Sequence, residues 1–292
     1  MRLPHVMLSF LPRIISALLL LVLAGCSAVQ TGYNNAPTLL YWWLDGYIDF
    51  DQAQSTPVRE SLDSLHAWHR RQELPAYADL LKSVQQQALG KVTPEQACTH
   101  VAQVRVHLQR LAEQSAEGLA RLAPSLQPGQ LRHLDRQYEK HNRKWREEWL
   151  DGTPAVLLER RLERTVERYE DFYGSLSDAQ KTLLRQRIVA SSFDARLAWA
   201  ERLRRQQDTL RVLQEHRSSD RPAHVQAEML ALVLRSLEPR GVEARAQFER
   251  MLQDGCQTMA ALHNSASETQ RRRLVERLRG YEADLRALGA QS

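Results

Sequence analysis

Along most of the chain apolar residues recur every three or four positions, and no stretch alternates them every second residue. That period is helical, so the sequence predicts an all-α fold, an elongated bundle of about nine or ten helices with no sheet. Pro37 opens a first helix through Tyr41-Trp42-Trp43-Leu44, with Leu40, Trp43, Leu44 and Tyr47 at core-stripe spacing. A second runs from Asp51 to near Glu73, where Leu74-Pro75 separates it from a third, Ala76 to Leu89. Pro94 opens a fourth, with Val101, Val104, Leu108, Leu111 and Leu119 on one face. The fifth covers about Gly129 to Leu150, and the sixth follows Thr153-Pro154 to Tyr173. The longest is expected from Asp178 to Arg217, then others to Leu237, from Val242 to Leu262 with a break at Gly255, and from Glu268 to Leu288. Ser218 to Pro222 is the most linker-like stretch, where a division of the 37–292 region would fall.

One local pattern marks many of these starts. A capping-type residue three positions before a glutamine occurs at Asp51…Gln54, Thr93…Gln96, Ser177…Gln180 and Ser267…Gln270, and Gln127…Gln130 follows the same spacing. This is a capping box, in which the cap side chain accepts from the third amide and Gln reaches back to the cap amide. Unequal spacing between the boxes argues against a regular solenoid. The pattern is similar to the Leu-Thr-x-x-Gln signature of Spy and CpxP type periplasmic proteins, a likeness that implies a chaperone or stress sensor and covers only these short segments.

Ahead of the helices, Arg2 and Arg13 precede an apolar run from Ile14 to Val22, followed by Leu23-Ala24-Gly25-Cys26. The run is too short for a spanning helix and has the layout of an export signal. Leu23 to Cys26 resembles the bacterial lipobox. The resemblance implies cleavage after residue 25, acylation of Cys26, and a lipidated tether over 26–36 that holds a periplasmic domain at 37–292. Membrane lipid is then the first partner, through Cys26. Ser27 follows in place of Asp, which by the common sorting rule implies the outer membrane, with the inner membrane as the alternative. The aromatics of the first helix are close enough to that anchor to lie against headgroups, the alternative to a core stripe.

Composition narrows the function classes. Loss of Arg2 and Arg13 lowers the net charge from +5 to about +3, and the remaining arginines alternate with glutamates along helix faces as in a solvated, ion-paired surface. No basic block is present and the chain is exported, so nucleic acid is not an expected partner; an envelope protein or acidic glycolipid is. With Cys26 acylated, Cys98 and Cys256 form an even pair in an oxidising compartment, either a disulfide closing about 158 residues or two buried thiols.

Chemistry is sparse. No Gly-rich phosphate loop, nucleophile elbow or Cys-His signature occurs, so no catalytic residue, cofactor or metal is assigned. The densest polar cluster is His66, Trp68, His69, Arg70, Arg71 and Glu73. His66 and His69 have the spacing of two metal ligands but lack a visible third. His69 and Arg70 suit an acidic partner, and with Trp68, Tyr41, Trp42 and Trp43 they make the candidate partner surface.

The lipobox, Tyr33-Asn34-Asn35, Tyr41-Trp42-Trp43-Leu44-Asp45, Trp68-His69-Arg70 with Glu73-Leu74-Pro75, and the Leu176 start together resemble a family of helical lipoproteins of Gram-negative bacteria known only as a domain of unknown function. That resemblance implies a helical periplasmic domain and supplies no activity. The expected function is non-enzymatic interaction in the envelope; a Spy-like chaperone or an enzyme whose site is scattered over distant helices are the alternatives.

Overall fold

The computed structural model describes residues 29–291. Within them the chain is helical and no strand occurs. After a helical segment over 29–34 come α1 (Ala36–Ile48), α2 (Gln52–Gln87), α3 (Pro94–Leu122), a 3-10 turn at Ala123–Ser125, α4 (Pro128–Trp149), α5 (Pro154–Tyr173) and α6 (Asp178–Ala190). The remainder forms α7 (Ala195–His216), α8 (Pro222–Leu237), α9 (Val242–Ser265) and α10 (Glu268–Gly289). No helix among the described residues is long and apolar enough to cross a membrane.

Two cores organise these helices. One gathers Leu162, Tyr173, Leu176, Leu184, Ile188, Leu262, Leu274 and Leu278, with Ala88 from the far end of α2. The other gathers Ile48, Leu126, Leu131, Leu134, Val212, Val225, Met229 and Leu232. The turn after α7 joins two helices of this second core: Ser218 adopts φ 61° and its amide donates to the Pro124 carbonyl at 2.9 Å. Cys98 on α3 and Cys256 on α9 are joined as a disulfide, their Cα atoms 5.3 Å apart.

Each core is closed by two helix starts meeting face to face. Gln54 and Gln130 exchange side-chain amide hydrogen bonds, Nε2 of each donating to Oε1 of the other at 3.1 and 2.6 Å. Each Oε1 also accepts its own cap amide, from Asp51 at 3.2 Å and Gln127 at 2.8 Å. The second amide hydrogens go across, Gln54 to the Ser125 carbonyl and Gln130 to the Asp49 carbonyl, both at 2.9 Å. Gln180 and Gln270 repeat the arrangement, with reciprocal bonds of 2.9 and 3.0 Å and crossing bonds to the carbonyls of Ser265 and Ser175. In all four cases the crossing acceptor lies two residues before the partner's cap. Every donor and acceptor of each amide is thereby used, which is what lets Gln54, Gln130 and Gln180 be buried. Gln96 caps its own helix and is exposed.

The sequence reading needs correction in four places. The expected break at Leu74-Pro75 is absent: α2 runs 36 residues with Pro57 and Pro75 inside it. An internal proline costs about 3 kcal/mol, and the packing here outweighs that, with Leu74 and Ala78 fully buried and Gly289 of α10 seated over the Leu74–Pro75 turn. Conversely the expected long helix from Asp178 to Arg217 is two. Asp194 caps α7 by accepting from the amides of Arg196 and Leu197, and Ser192 donates from both its amide and hydroxyl to Asp254 at 2.8 and 2.7 Å. Third, the expected core stripe on α1 is only half inward: Tyr47 packs against the second core and Leu44 is partly buried, but Leu40 and Trp43 face out. Tyr41 and Ile48 are buried, while Leu40 and Trp43 are 45% and 58% exposed. The end of α1 is pinned to α4 through His133 to the Gly46 carbonyl and Gln130 to the Asp49 carbonyl, and this sets which face turns inward. Fourth, the α9 helix continues through Gly255.

Replacing Gln180 by Glu keeps the shape and removes two donors. We expect Gln180→Glu to lower the unfolding free energy in urea by about 2–3 kcal/mol at pH 8 and by less at pH 4, where a protonated carboxyl restores one donor. Equal loss at both pH values would show that the couple is not the source.

Candidate functional site

The polar cluster of α2 meets the segment that leads from Cys26, a residue that itself lies outside the described residues. His66, His69 and Arg70 stand at i, i+3 and i+4, hence on one stripe of the helix. All three point at residues 30–35. Tyr33 is the centre of the contact: its carbonyl accepts from His66 Nε2 at 3.0 Å, and its hydroxyl is 2.9 Å from His69 Nδ1. The Tyr33 ring lies 4.6 Å from that of His66. Arg70 donates to Asn34 Oδ1 at 2.6 Å and reaches the Leu288 and Gln291 carbonyls at the end of α10. Gln30 donates to Asp284 at 3.1 Å. The segment is therefore clasped between α2 and α10.

One turn further along α2 lies Glu73, with no exposed surface. Its Oε2 is 2.6 Å from His107 Nδ1 and its Oε1 is 3.1 Å from Arg110 Nη2, both on α3. A buried carboxylate is tolerable only with such partners, and this one ties α2 to α3. The Tyr77 ring bridges the two layers, edge-on to His69 at 5.5 Å and to His107 at 4.9 Å. Neither His107 nor Arg110 was singled out by the sequence, because their partner is 34 or more residues away and no local spacing records it.

Burial disfavours ionisation of the Tyr33 hydroxyl and of both histidines beside the Arg70 guanidinium. Burial pushes the Tyr33 hydroxyl up to about 12, against a smaller opposing pull from Arg70. Burial, and then Arg70, lowers His66; burial lowers His69 against the opposing field of Glu73. The Tyr33 carbonyl only accepts, so His66 Nε2 carries the proton; this bond favours the charged ring and opposes the larger effect of burial.

The remaining candidates are placed as follows. Tyr41 is buried, its hydroxyl donates to Ser55 at 2.9 Å, and Arg59 lies 3.4 Å over its ring, so it presents nothing to a partner. Trp42 and Trp43 are 60% and 58% exposed. Trp68 is half-buried, edge-on to His69. Among the described residues no group of three or more His, Cys, Asp or Glu is arranged to hold a metal. Many Arg and Glu residues pair along their own helices, as Arg211 with Glu215 and Arg272 with Glu268.

A family model described as a family of unknown function (DUF6279) matches residues 46–238. The chain belongs to this family. The DUF6279 match takes in the whole of α2, and so the α2 side of the clasp and the Glu73 layer, but stops short of α9 and α10. No curated protein and no solved structure matches the chain.

With His66 and His69 lowered, the clasp of this DUF6279 protein is expected to weaken as pH falls. A group whose folded pKa lies below its unfolded value contributes stability above the unfolded value, about 6.5 for His, and loses it as pH falls below that. Hydrogen exchange at residues 30–35 is expected to accelerate several-fold between pH 7.5 and 5, after correction for intrinsic rates. In His66→Gln/His69→Gln the corrected acceleration is expected to vanish; an undiminished one would assign it elsewhere.

Proposed function

We propose that this protein is a lipid-anchored, periplasm-facing helical protein that acts by binding an envelope partner and not by catalysis. Cleavage before Cys26 leaves the acylated residue only a few positions from Gln30, where the clasp begins. The observation that carries the reading is that clasp: the richest polar cluster of the chain spends His66, His69 and Arg70 on its own leader segment. The arrangement holds residues 30–35 against the body, which supports a protein that presents a surface at a set height from its anchor. Ser27 after the acylated cysteine favours the outer membrane.

A chaperone-like reading has one specific support. An open cleft of about 360 Å³ lies between α7 and α9, with Leu197, Phe248 and Met251 as apolar lining beside Arg202 and Arg205. The paired glutamines, by contrast, account for the Leu-Thr-x-x-Gln likeness as helix packing.

Growth with a clickable fatty acid, in-cell crosslinking and recovery of the chain test the proposal. The expected result is a labelled chain beginning at Cys26, label lost in Cys26→Ala, and a specific envelope protein or glycolipid recovered with the wild type. An unlabelled chain that keeps residues 1–25 would overturn the anchor. A labelled chain that recovers nothing specific, yet suppresses aggregation of a model client at equimolar amounts, would favour the chaperone reading.

A further inference from the structure

A helix on the surface of a protein in water ordinarily carries charged residues on its outer side. α1 does not. Its exposed residues are Thr38, Leu39, Leu40, Trp42, Trp43 and Gly46, none of them charged, within an arc of about 200° at 100° per residue. Leu39, Leu40, Trp42 and Trp43 are 59%, 45%, 60% and 58% exposed, and the space around Gly46 is open. The only acidic side chain on the helix, Asp45, is turned to the Phe50 amide at 2.9 Å.

Basic groups border this face on both sides. Arg59 lies 5.5 Å from the Trp42 ring while stacked on Tyr41. On the opposite side Trp43 packs on Tyr47, Tyr47 stacks on His141, and His141 feels Lys140 and Lys144 of α4. Lys140 and Lys144 are exposed, and among the described residues neither they nor Arg59 form an ion pair. Exposed indoles and leucines between unpaired cations are the composition that seeks the boundary between acyl chains and anionic headgroups.

The length of chain before the helix says what covers it. From Cys26 to Val29 an extended chain reaches about 10 Å, and the mostly helical stretch from 29 to 43 adds about 21 Å. Trp43 is thus within about 30 Å of the acylated residue, and the clasp at Tyr33 and Asn34 removes the slack that would let α1 swing away.

We infer that the outward face of α1 is a bilayer-contacting surface, with Leu39, Leu40, Trp42 and Trp43 entering the headgroup boundary of the membrane that holds Cys26, and Arg59, Lys140 and Lys144 meeting lipid phosphates. The inference rests on the acylation of Cys26. It assigns the aromatic helix to lipid and leaves other surfaces to the envelope partner.

The test uses the full acylated chain in vesicles of phosphatidylethanolamine and phosphatidylglycerol, with and without dibrominated acyl chains, after mass spectrometry of the N-terminal lipopeptide. Brominated lipid is expected to quench tryptophan emission, and the quenched fraction to fall at least threefold in Trp42→Phe/Trp43→Phe, whose circular dichroism stays unchanged. Replacing phosphatidylglycerol by phosphatidylcholine is expected to reduce quenching, and Lys140→Gln/Lys144→Gln to do the same. An acylated chain with unquenched tryptophans, or quenching unchanged in the double variant, overturns the contact and leaves the anchor standing. Twice the expected protein mass in nanodiscs without quenching gives the face to a second copy and likewise overturns it. A chain without acyl groups overturns the anchor, and this inference with it.

Discussion

Two helix starts cannot be buried against each other unless the amides that point out of both ends find acceptors, and in this protein that demand is met by glutamine side chains. A primary amide offers two donors and two acceptor lone pairs. In a capping box one lone pair is taken by the cap amide of its own helix, which leaves the other and both hydrogens free to act across a gap. Gln54 with Gln130, and Gln180 with Gln270, use those remaining valences on each other and on a carbonyl of the opposite chain segment. The result fixes the relative position of α2 and α4, and of α6 and α10, with Leu126 and Leu176 buried immediately before two of the caps. The cores are assembled around these two points.

The rest of the architecture follows from α2. At about 1.5 Å per residue its 36 residues reach about 54 Å, enough to start at one glutamine couple and end with Ala88 in the other core. Between the ends it carries the Glu73 layer, which holds α3, and the His66–His69–Arg70 stripe, which holds the leader segment. Whatever pulls on residues 29–35 therefore acts on the middle of a helix that starts at one glutamine couple and ends against the other core.

Much of the helical plan is legible in sequence because helix starts carry their own chemistry: Pro94, Pro128, Pro154 and the capping glutamines stand at observed starts. What local pattern cannot carry is pairing over distance. All five boxes look alike in sequence, yet four lock together in twos and Gln96 stays in solvent, a difference set by where α2, α4, α6 and α10 pack. Pro75 reads as a stop because propensity opposes it, and burial of Leu74 and Ala78 with Gly289 of α10 packed over that turn overrides propensity. The Ser191–Asp194 break reads as helix because the apolar period runs on through it, although the Asp194 cap was present to be noticed. Of the candidate site, His66, His69, Arg70 and Glu73 were visible as a cluster. Their partners were not joined to it, since Tyr33 comes from the leader segment and His107 and Arg110 come from α3.

The central claim is that the glutamines act as couples and not as independent caps. The most direct test is a double-mutant cycle between Gln180→Ala and Gln270→Ala, read as unfolding free energy in urea with the disulfide intact. Each single change strands the partner amide, so the double variant is expected to lose less than the sum of the two, with a coupling of about 1.5–3 kcal/mol. Losses that add to within about 0.5 kcal/mol would contradict the account.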